Sequence, residues 1–401
     1  MFSSFGALNG AQPGAVRRTP ATSSDASPLA LPPGARVLFV LSALGAGGAE
    51  RVATALCNYW RGHGLDVAIA TFEAPGTPSY YPLDPGVRVH QLGAASARQS
   101  FGEAVLQTRA RIDALSTLIR KERPSVVISF LTKINVITLL AAPGSVPVIV
   151  SERNNPNAQR FNGLWRAARD LAFPRAYALV AMTKGAVEAY PERQRPNATV
   201  IPNPVIIPAG LDRRSDGHTL VAVGRLTRQK RFDLLLDAFA RIADDFPDWG
   251  LTIWGEGGDR AALAAQRDRL GLAGRVAMPG LSQTPGAWLE TADAFVLCSD
   301  YEGWGNVLAE SMAAGLPVLS TDCDFGPREM IEDGVSGLLV PTDDAAALTD
   351  GLSRLMSDAA LRERLGAAAK ARASAFFLPA VARQWETLAA AAIAARARAR
   401  R

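Results

Sequence analysis

A repeated alternation of short apolar runs with longer helical patterns begins at residue 35 and continues along almost the whole chain of 401 residues. The apolar runs are nearly continuous, which is typical of strands buried on both faces of a parallel sheet. In the first half, strands are predicted at 36–42, 66–72, 87–92, 125–130, 146–150, 178–182 and 199–201, with a long helix over 103–122. This alternation predicts an α/β fold with a doubly wound sheet.

A proline-rich segment interrupts the alternation once. Pro202, Pro204 and Pro208 are followed by Gly210. Prolines fix φ and disfavour helix at the preceding residue, so we expect a stiff, extended connection. The alternation then resumes, with strands predicted at 220–223, 251–254, 275–278, 294–297, 317–320 and 337–340. We therefore predict two Rossmann-like, doubly wound domains of similar size that face each other across a cleft.

The expected division of the chain has four parts. These are a disordered N-terminal tail (1–34), a first domain (35–205), a second domain (206–378) and a C-terminal segment (379–401). The tail lacks the apolar core, about 7–15 residues long, of a secretory signal. No uncharged apolar run reaches the roughly 18 residues expected of a membrane-spanning helix.

Three cysteines, Cys57, Cys298 and Cys323, are widely spaced and form no C-x-x-C pair. This spacing predicts small core residues in a reducing compartment rather than a disulfide framework or a zinc site. We therefore expect a cytoplasmic protein, at most attached to the inner face of the cell membrane.

The charge of the chain is concentrated at its end. Apolar residues make up 48% and charged residues 20%, which excludes a largely disordered chain. The net charge is +5, and residues 383–401 carry +4 of it. An Arg/Ala tail of this kind predicts contact with anionic lipid. The chain has no surface that combines aromatic and basic residues in the manner of nucleic-acid readers, so we expect no nucleic-acid partner.

Ligands of open α/β sheets collect where strands end, so the turns after the predicted strands are the candidate sites. The first such turn is Gly45-Ala-Gly-Gly-Ala-Glu-Arg51, between a strand and a helix. Its glycines would let a ligand approach the backbone, and the helix start would offer N–H groups to an anion. A tight turn without a ligand would use the same glycines, so both interpretations stay open here.

A second turn carries two cations, Arg225 and Lys230, just before a helix predicted over 232–246. Cations at a helix start oppose the helix dipole. Their position is explained if an anion, with a diphosphate as the obvious candidate, lies between them. The alternative is a solvated basic loop.

A third turn contributes two carboxylates, Glu302 and Glu310. The helix between them should begin near residue 305 or 306, so that the amides near Asn306 and Val307 could bind another anion. Glu310 lies in an otherwise apolar helix and needs a partner if it is buried. A carboxylate that stabilises the helix dipole is the alternative for a lone glutamate here. Further along, Asp322 and Asp324 lack additional ligands, so we expect turn residues rather than a metal site.

Together these segments resemble the family 4 retaining glycosyltransferases of the GT-B fold. The resemblance covers about residues 37–378 and depends on IPNPV (201–205), VGRLTRQKRFDLLLDAF (223–239), SDYEGWGNVLAESMAAGLPV (299–318) and DGVSGLLVP (333–341). The segments GGAER (47–51) and SERNNP (151–156) resemble the bacterial subgroup that builds surface polysaccharides and lipid-linked oligosaccharides.

The resemblance implies roles for individual residues. Arg225, Lys230 and Glu302 would be catalytic: the two cations would neutralise the donor diphosphate without a metal cofactor, and Glu302 would contact the donor sugar. The implied donor-binding residues are Gly47, Gly48, Met278, Gly303, Asn306, Val307 and Glu310. Many relatives carry a histidine after the strand at 125–130, and this chain has none there. Lys133 and Asn135 are candidate substitutes, and together with Arg153 they are our candidates for acceptor binding.

The function implied is transfer of a hexose or N-acetylhexosamine, with retention at the anomeric carbon, from a nucleotide sugar to a lipid-linked or cell-surface polysaccharide acceptor. UDP is the expected nucleotide. A nucleotide-sugar epimerase of the same fold is the alternative. The basic, partly apolar segment 160–175 could lie near an anionic membrane or a pyrophosphate-linked acceptor, or it could be an ordinary amphipathic helix. The C-terminal helix of such folds crosses back to the first domain.

Overall fold

A computed structural model describes residues 29–93, 101–159, 161–208, 210–212, 214, 217–282, 284 and 286–399. Residues 1–28 of the expected tail, Arg160, and Arg400 and Arg401 of the basic end lie outside the described residues.

The first domain is built on seven parallel strands. They are β1 (Arg36–Val40), β2 (Asp66–Thr71), β3 (Arg88–Gln91), β4 (Val126–Phe130), β5 (Val148–Ser151), β6 (Ala178–Ala181) and β7 (Thr199–Val200), in the order β3-β2-β1-β4-β5-β6-β7. The helices between them are α1 (Gly48–Gly62), α2 (Phe101–Glu122), α3 (Thr132–Ala141), α4 (Gly163–Ala172) and α5 (Lys184–Glu188). Alternate strand residues enter separate apolar clusters on the two faces, Phe39 on one and Leu38 on the other. The continuous apolar runs of the sequence follow from this burial on both faces.

The second domain repeats this plan with six parallel strands. They are β8 (Thr219–Val223), β9 (Gly250–Trp254), β10 (Val276–Gly280), β11 (Ala294–Leu297), β12 (Val318–Thr321) and β13 (Leu338–Val340), in the order β10-β9-β8-β11-β12-β13. Its helices are α6 (Phe232–Ala240), α7 (Arg260–Arg269), α8 (Asn306–Ala313), α9 (Pro327–Met330), α10 (Ala345–Ser357) and α11 (Ala359–Ala373). Two doubly wound sheets with interleaved helices confirm the predicted α/β fold.

Each sheet reverses its strand order once, between β1 and β4 in the first domain and between β8 and β11 in the second. Ligands of doubly wound sheets bind at this reversal, outside the carboxyl ends of the strands. The turns singled out from the sequence follow β1, β8 and β11, and they therefore open into the space between the two domains.

Helix α6 is shorter than predicted: it ends at Ala240 rather than at 246. Two acidic residues, Asp244 and Asp245, oppose the helix dipole at that end, and Phe246 precedes a proline.

The C-terminal helix α12 (Leu378–Arg398) completes the core of the first domain. Trp385 on α12 is fully buried, and it packs with Trp60 of α1 in the same apolar cluster. Trp60 Nε1 donates to Glu386 Oε1 at 3.0 Å, which gives the buried Glu386 carboxylate a partner. Val205 of the proline-rich connection pairs with Phe377, directly before α12.

The expected boundary of the N-terminal tail at residue 34 is wrong for residues 29–34. Leu31 is buried in the core of the first domain. The backbone N–H of Ala30 donates to Glu386 Oε2 at 3.0 Å, so the chain is already held at this point. A buried carboxylate needs hydrogen-bond donors, and the segment before β1 supplies one of them.

The three cysteines are buried and free of disulfides, as predicted. Among the residues that the structure describes, no helix has both the length and the apolar character needed to cross a bilayer.

Candidate active site

A cleft of about 540 Å³ opens between the two domains at the carboxyl ends of their strands. Residues singled out from the sequence lie in its wall: Gly48, Arg153, Arg225, Lys230, Glu302, Gly303, Asn306 and Val307. The family resemblance implies roles for these residues in donor binding, catalysis and acceptor binding, and the fold brings them to one cavity.

Lys230 and Glu302 form an ion pair in the second-domain wall of this cleft. The ammonium lies 2.5 Å from Glu302 Oε1, and the Ser299 hydroxyl donates to the same oxygen at 2.7 Å. The aliphatic part of the Lys230 side chain packs against Gly224, where a Cβ would lie 3.0 Å from Lys230 Cε. Arg225 is exposed and has no ion-pair partner among the described residues. The sequence pattern placed an anion between the two cations and did not foresee that Glu302 neutralises Lys230.

The N-terminus of α8 is open to an anion. Its N-cap is Gly305, with φ of 94°, so no side chain caps the helix, and no acidic residue lies in its first turn. The Leu308 N–H donates to the Gly305 carbonyl oxygen at 3.0 Å, whereas the amides of Asn306 and Val307 precede the first intrahelical bond and carry partial positive charge. Asn306 and Val307 at this end line the cleft.

The N-terminus of α1 differs, because its own carboxylate covers it. A Cβ on the N-cap residue, Gly47, would overlap the Glu50 carboxyl group, and Gly47 does not line the cleft, whereas Gly48 does. Burial raises the pKa of Glu50 above its usual value. Of the two helix starts considered from the sequence, α8 is therefore the one that offers unoccupied amides.

Glu310 finds its partner in the first domain. The carboxyl is buried, and Arg51 Nη1 on α1 donates to Glu310 Oε1 at 2.7 Å. Arg51 Nη2 also donates to the backbone oxygen of Ile206 in the connection, at 3.1 Å. Burial raises the pKa of Glu310, and the Arg51 charge opposes that rise. Sequence reasoning predicted the need for a partner but missed Arg51, although a cation in the first turn of a helix was a visible signal.

Arg153 lies beneath the cleft on the first-domain side. Its guanidinium carbon is 4.3 Å from the centre of the Phe130 ring and 5.2 Å from that of Trp385. Nη1 donates to Asn203 Oδ1 at 2.8 Å. Burial lowers the pKa of Arg153 to about 9. Asn203, in the IPNPV segment, also lines the cleft, and no sequence pattern identifies it as a site residue.

The prediction that Asn135 contacts an acceptor is wrong. Its side chain is fully buried: Oδ1 accepts from Ser129 Oγ at 2.8 Å, and Nδ2 donates to Ser151 O at 3.0 Å and to Glu152 Oε1 at 2.8 Å. The side chain faces inward because α3 begins at Thr132, which turns Asn135 toward the sheet.

Lys133, the other proposed substitute for the histidine, lies outside the cleft wall as well. It is exposed, and its ammonium sits 5.4 Å from the centre of the Trp165 ring on α4. The geometry of α3 explains this location, because residues 133 and 135 are two positions apart and therefore lie on different sides of the helix.

A buried carboxyl, Glu152, underlies this part of the cleft and was not identified from the sequence. Glu152 Oε2 accepts from Thr132 Oγ1 at 2.7 Å, and burial raises the pKa of Glu152. A glutamate directly after a buried strand, in the SERNNP segment, was the signal available for it.

Met278 lies in the edge strand β10, outside the wall of the cleft. Its carbonyl oxygen accepts from Arg260 Nη2 at 2.8 Å.

Asp322 pairs with Arg328 at 2.8 and 2.9 Å, in agreement with a role in the turn. Among the described residues, no three His, Cys, Asp or Glu side chains cluster as metal ligands would.

Helix α4, within the segment 160–175, presents apolar and basic side chains together on its surface. Leu164 is 54% exposed and Leu171 is 78% exposed, and Arg166 is exposed beside them. The side chain of Asn162 caps the helix by accepting from the Trp165 N–H.

Two family models match the chain, one to each half. The model described as "Glycosyl transferase 4-like domain" matches residues 47–204, and the model "Glycosyl transferases group 1" matches residues 206–372.

Among curated relatives, a Campylobacter jejuni N-acetylgalactosaminyltransferase acting on a diphospho-undecaprenol-linked glycan is 28% identical over 87% of this chain and 97% of its own length. A lipopolysaccharide core glycosyltransferase of Rhizobium meliloti, LpsE, is 35% identical over 39% of this chain and 45% of its own length. An exopolysaccharide phosphotransferase of Streptomyces coelicolor is 33% identical over 62% of this chain, which spans only 26% of that protein.

Solved structures share the whole fold. Sucrose-phosphate synthase from Thermosynechococcus elongatus matches 90% of this chain and all of its own, with a TM-score of 0.75 at 20% identity. Anabaena HepE in complex with UDP-glucose covers 88% of this chain and 98% of its own, with a TM-score of 0.69 at 19% identity. At this level of identity the likeness establishes the GT-B architecture.

Proposed function

Because the chain belongs to the family 4 glycosyltransferases of the GT-B fold, we propose that it moves a hexose or N-acetylhexosamine from a nucleotide sugar to a lipid-linked or cell-surface polysaccharide acceptor. Retention of the anomeric configuration and independence of a metal ion are parts of this proposal.

The observation that carries the proposal is the convergence of Arg225, Lys230 and the open N-terminus of α8 on one cleft. A departing diphosphate develops negative charge as the bond to the sugar breaks. Fixed cations and helix amides stabilise that charge without the reorganisation that water would need. They supply the charge neutralisation that a divalent cation supplies elsewhere.

The Lys230–Glu302 pair fits this chemistry. When a diphosphate enters, the Lys230 ammonium can share its protons between Glu302 and a phosphate oxygen, since it has three donors. Glu302 keeps the Ser299 hydroxyl and remains available to a sugar hydroxyl.

Retention follows if the acceptor hydroxyl attacks from the same face that the diphosphate leaves. The bond from C1 to the phosphate oxygen breaks, the bond from C1 to the acceptor oxygen forms, and the acceptor proton passes to the departing phosphate. This route needs no covalent intermediate on a protein carboxylate. It agrees with the participation of Glu302 in an ion pair rather than as a free nucleophile.

UDP as the nucleotide is supported by the UDP-glucose complex of Anabaena HepE. The acceptor class is supported by the lipid-linked and lipopolysaccharide substrates named for the curated relatives. The exposed leucines and Arg166 of α4 support peripheral contact with an anionic membrane, which retention of the protein on anionic but not zwitterionic vesicles would test.

A panel of nucleotide sugars tests the proposal. We expect one UDP-sugar to raise the unfolding temperature and to be consumed, with an α-anomeric donor giving an α-linked product by NMR. Absence of both stabilisation and turnover across the panel would overturn the proposal. Conversion of the donor without any acceptor would instead identify an epimerase.

A further inference from the structure

We infer that Arg153 and Asn203 form a polar relay that orients the Asn306 side-chain amide, so that its NH2 group faces the diphosphate site. Neither Arg153 nor Asn203 touches the reacting atoms in this inference; both are positioning residues. The inference rests on the proposed function, because it concerns the same donor.

The relay consists of two consecutive hydrogen bonds across three parts of the molecule. Arg153, directly after β5, donates through Nη1 to Asn203 Oδ1 at 2.8 Å. Asn203, in the proline-rich connection, donates through Nδ2 to Asn306 Oδ1 at 2.8 Å. Asn306 is the first residue of α8 in the second domain. All three side chains belong to residues of the cleft wall.

The direction of the relay is fixed by Arg153. A guanidinium has donors and no acceptor, so Asn203 must present its oxygen to Arg153. The NH2 group of Asn203 is then the only group it can turn to Asn306, and Asn306 must accept with its own oxygen. The NH2 group of Asn306 is thereby left on the opposite side of its amide plane.

That side faces the cleft. Asn306 Nδ2 lies 3.3 Å from the position that a Cβ on Gly48 would occupy, in the gap between the starts of α1 and α8. The side-chain donor therefore points into the same space as the unoccupied amides of the α8 N-terminus. An anion held there would receive side-chain and backbone hydrogen bonds together.

The charge of Arg153 fits the same site. The side chain is nine-tenths buried, its Nε and Nη2 have no hydrogen-bond partner, and it makes no ion pair with any residue that the structure describes. A buried cation without a counterion is unfavourable. A diphosphate in the adjoining cleft would offset that cost. The relay would therefore offer the anion both the positive charge of Arg153 and the NH2 group of Asn306 as a donor.

Asn203→Asp reverses the relay while keeping its contact with Arg153. The introduced carboxylate still accepts from Arg153 and also neutralises it, so we expect the unfolding temperature to be unchanged or raised. A carboxylate has no donor, and Asn306 must therefore turn its NH2 group toward position 203 and its oxygen toward the cleft. Titration calorimetry should then show UDP binding weakened roughly 10- to 100-fold, the usual range for one hydrogen bond to a charged group. Uridine, which lacks phosphate, should bind as before.

Two further variants distinguish the relay from other causes of weaker UDP binding. In Asn306→Ala the donor is already gone, so adding Asn203→Asp should weaken UDP binding by less than it does in the wild type, whereas loss of the Arg153 charge or repulsion by the new carboxylate would weaken it equally in both backgrounds. Asn162→Asp, which keeps the cap of α4, is the matched control and should leave UDP affinity unchanged.

If Asn203→Asp binds UDP like the wild type, or weakens it equally in the Asn306→Ala background, the relay is refuted. If the wild type binds no nucleotide diphosphate at all, the proposed function fails instead.

Discussion

Lys230 is the residue whose pairing most changes the interpretation of the cleft. Its side chain is 13% exposed and that of Glu302 is 9% exposed, so their ion pair is shielded from solvent. A pair of this kind holds the ammonium at one place, so under the proposed function an incoming phosphate would meet a cation that is already oriented.

Lys230→Ala should greatly slow transfer without unfolding the protein. We expect kcat to fall by roughly 10²- to 10³-fold, the size of effect seen when one stabilising donor is removed from a site of charge development. Steady-state assays together with thermal unfolding measure this. Arg228→Ala, an exposed position in the same turn, is the control and should retain activity. Turnover of Lys230→Ala at the wild-type rate would contradict the proposed role.

Glu152→Gln should stabilise the protein increasingly as the pH rises. Burial raises the folded-state pKa of Glu152 above its ordinary value of 4.5, so the wild type loses stability as the pH rises from that value through the folded-state pKa. Glutamine never becomes charged and therefore escapes that loss. Thermal unfolding between about pH 4 and pH 8 measures the difference.

The gain in unfolding temperature of Glu152→Gln over the wild type must therefore grow with pH. A gain that shrinks as the pH rises would contradict burial of the charged carboxylate as the cause. Glu363→Gln, at an exposed position of α11, should show no such trend.

Individual residues also show which parts of the candidate site the sequence does not predict. The sequence predicts that Glu302, Lys230 and Asn306 face the cleft, because each follows a strand at the edge where ligands of doubly wound sheets bind, and all three line it. Arg51 and Asn203 were missed because their partners are 259 and 103 residues away in the chain, and no local pattern encodes such a pair. Asn135 was misplaced because its direction depends on the first residue of α3, which the sequence does not specify to within one position.

At the scale of elements, α5 and α9 join the two domains. Glu329 on α9 accepts from the backbone N–H groups of Lys184 at 2.8 Å and Gly185 at 3.1 Å, so a second-domain carboxylate caps a first-domain helix. Phe325, just before α9, packs against Gly185, where a Cβ would come within 2.6 Å of the ring. Asn155 adds a hydrogen bond to the backbone oxygen of Asp324 at 3.0 Å.

Glu329→Ala should loosen this contact and open the cleft. The lost cap costs about 0.5–2 kcal/mol, and that cost falls on the interface between the domains. We expect a larger radius of gyration in solution scattering and a higher KM for the donor. Glu332→Ala, a nearby exposed carboxylate, should change neither quantity. An unchanged radius of gyration and KM in Glu329→Ala would show that this cap does not hold the domains together.

The elements themselves were the most predictable level. Each strand proposed from the sequence is present. The inner strands are buried on both faces, which demands an apolar run that little else in a chain produces, whereas the edge strands β3 and β7 are partly exposed. The end of α6 was missed because it depends on the balance between an apolar face and two acidic residues at the helix end.

At the scale of the whole molecule, α12 packs into the core of the first domain although it follows the second domain in the sequence. Trp385, Val381 and Ala389 fill the face of the first sheet that α1 also covers. The Glu386 carboxylate ties the helix to Trp60 and to the backbone at Ala30.

Trp385→Ala should destabilise the first domain by about 3–5 kcal/mol, since it removes a fully buried aromatic side chain. Chemical unfolding followed by tryptophan fluorescence and circular dichroism measures the loss. Thr387→Ala, exposed on the same helix, is the control and should remain within about 0.5 kcal/mol of the wild type. A loss of similar size in both variants would contradict the role given to the buried face.

The position of α12 also sets an order of events during synthesis. The first domain leaves the ribosome first, yet its core lacks Trp385 and its neighbours until the last helix, Leu378–Arg398, emerges. The second domain can close its own core before then, because its apolar clusters end at Phe376. The half of the molecule that is made first is thus completed after the second half, when α12 emerges and adds Trp385 to the core of the first domain.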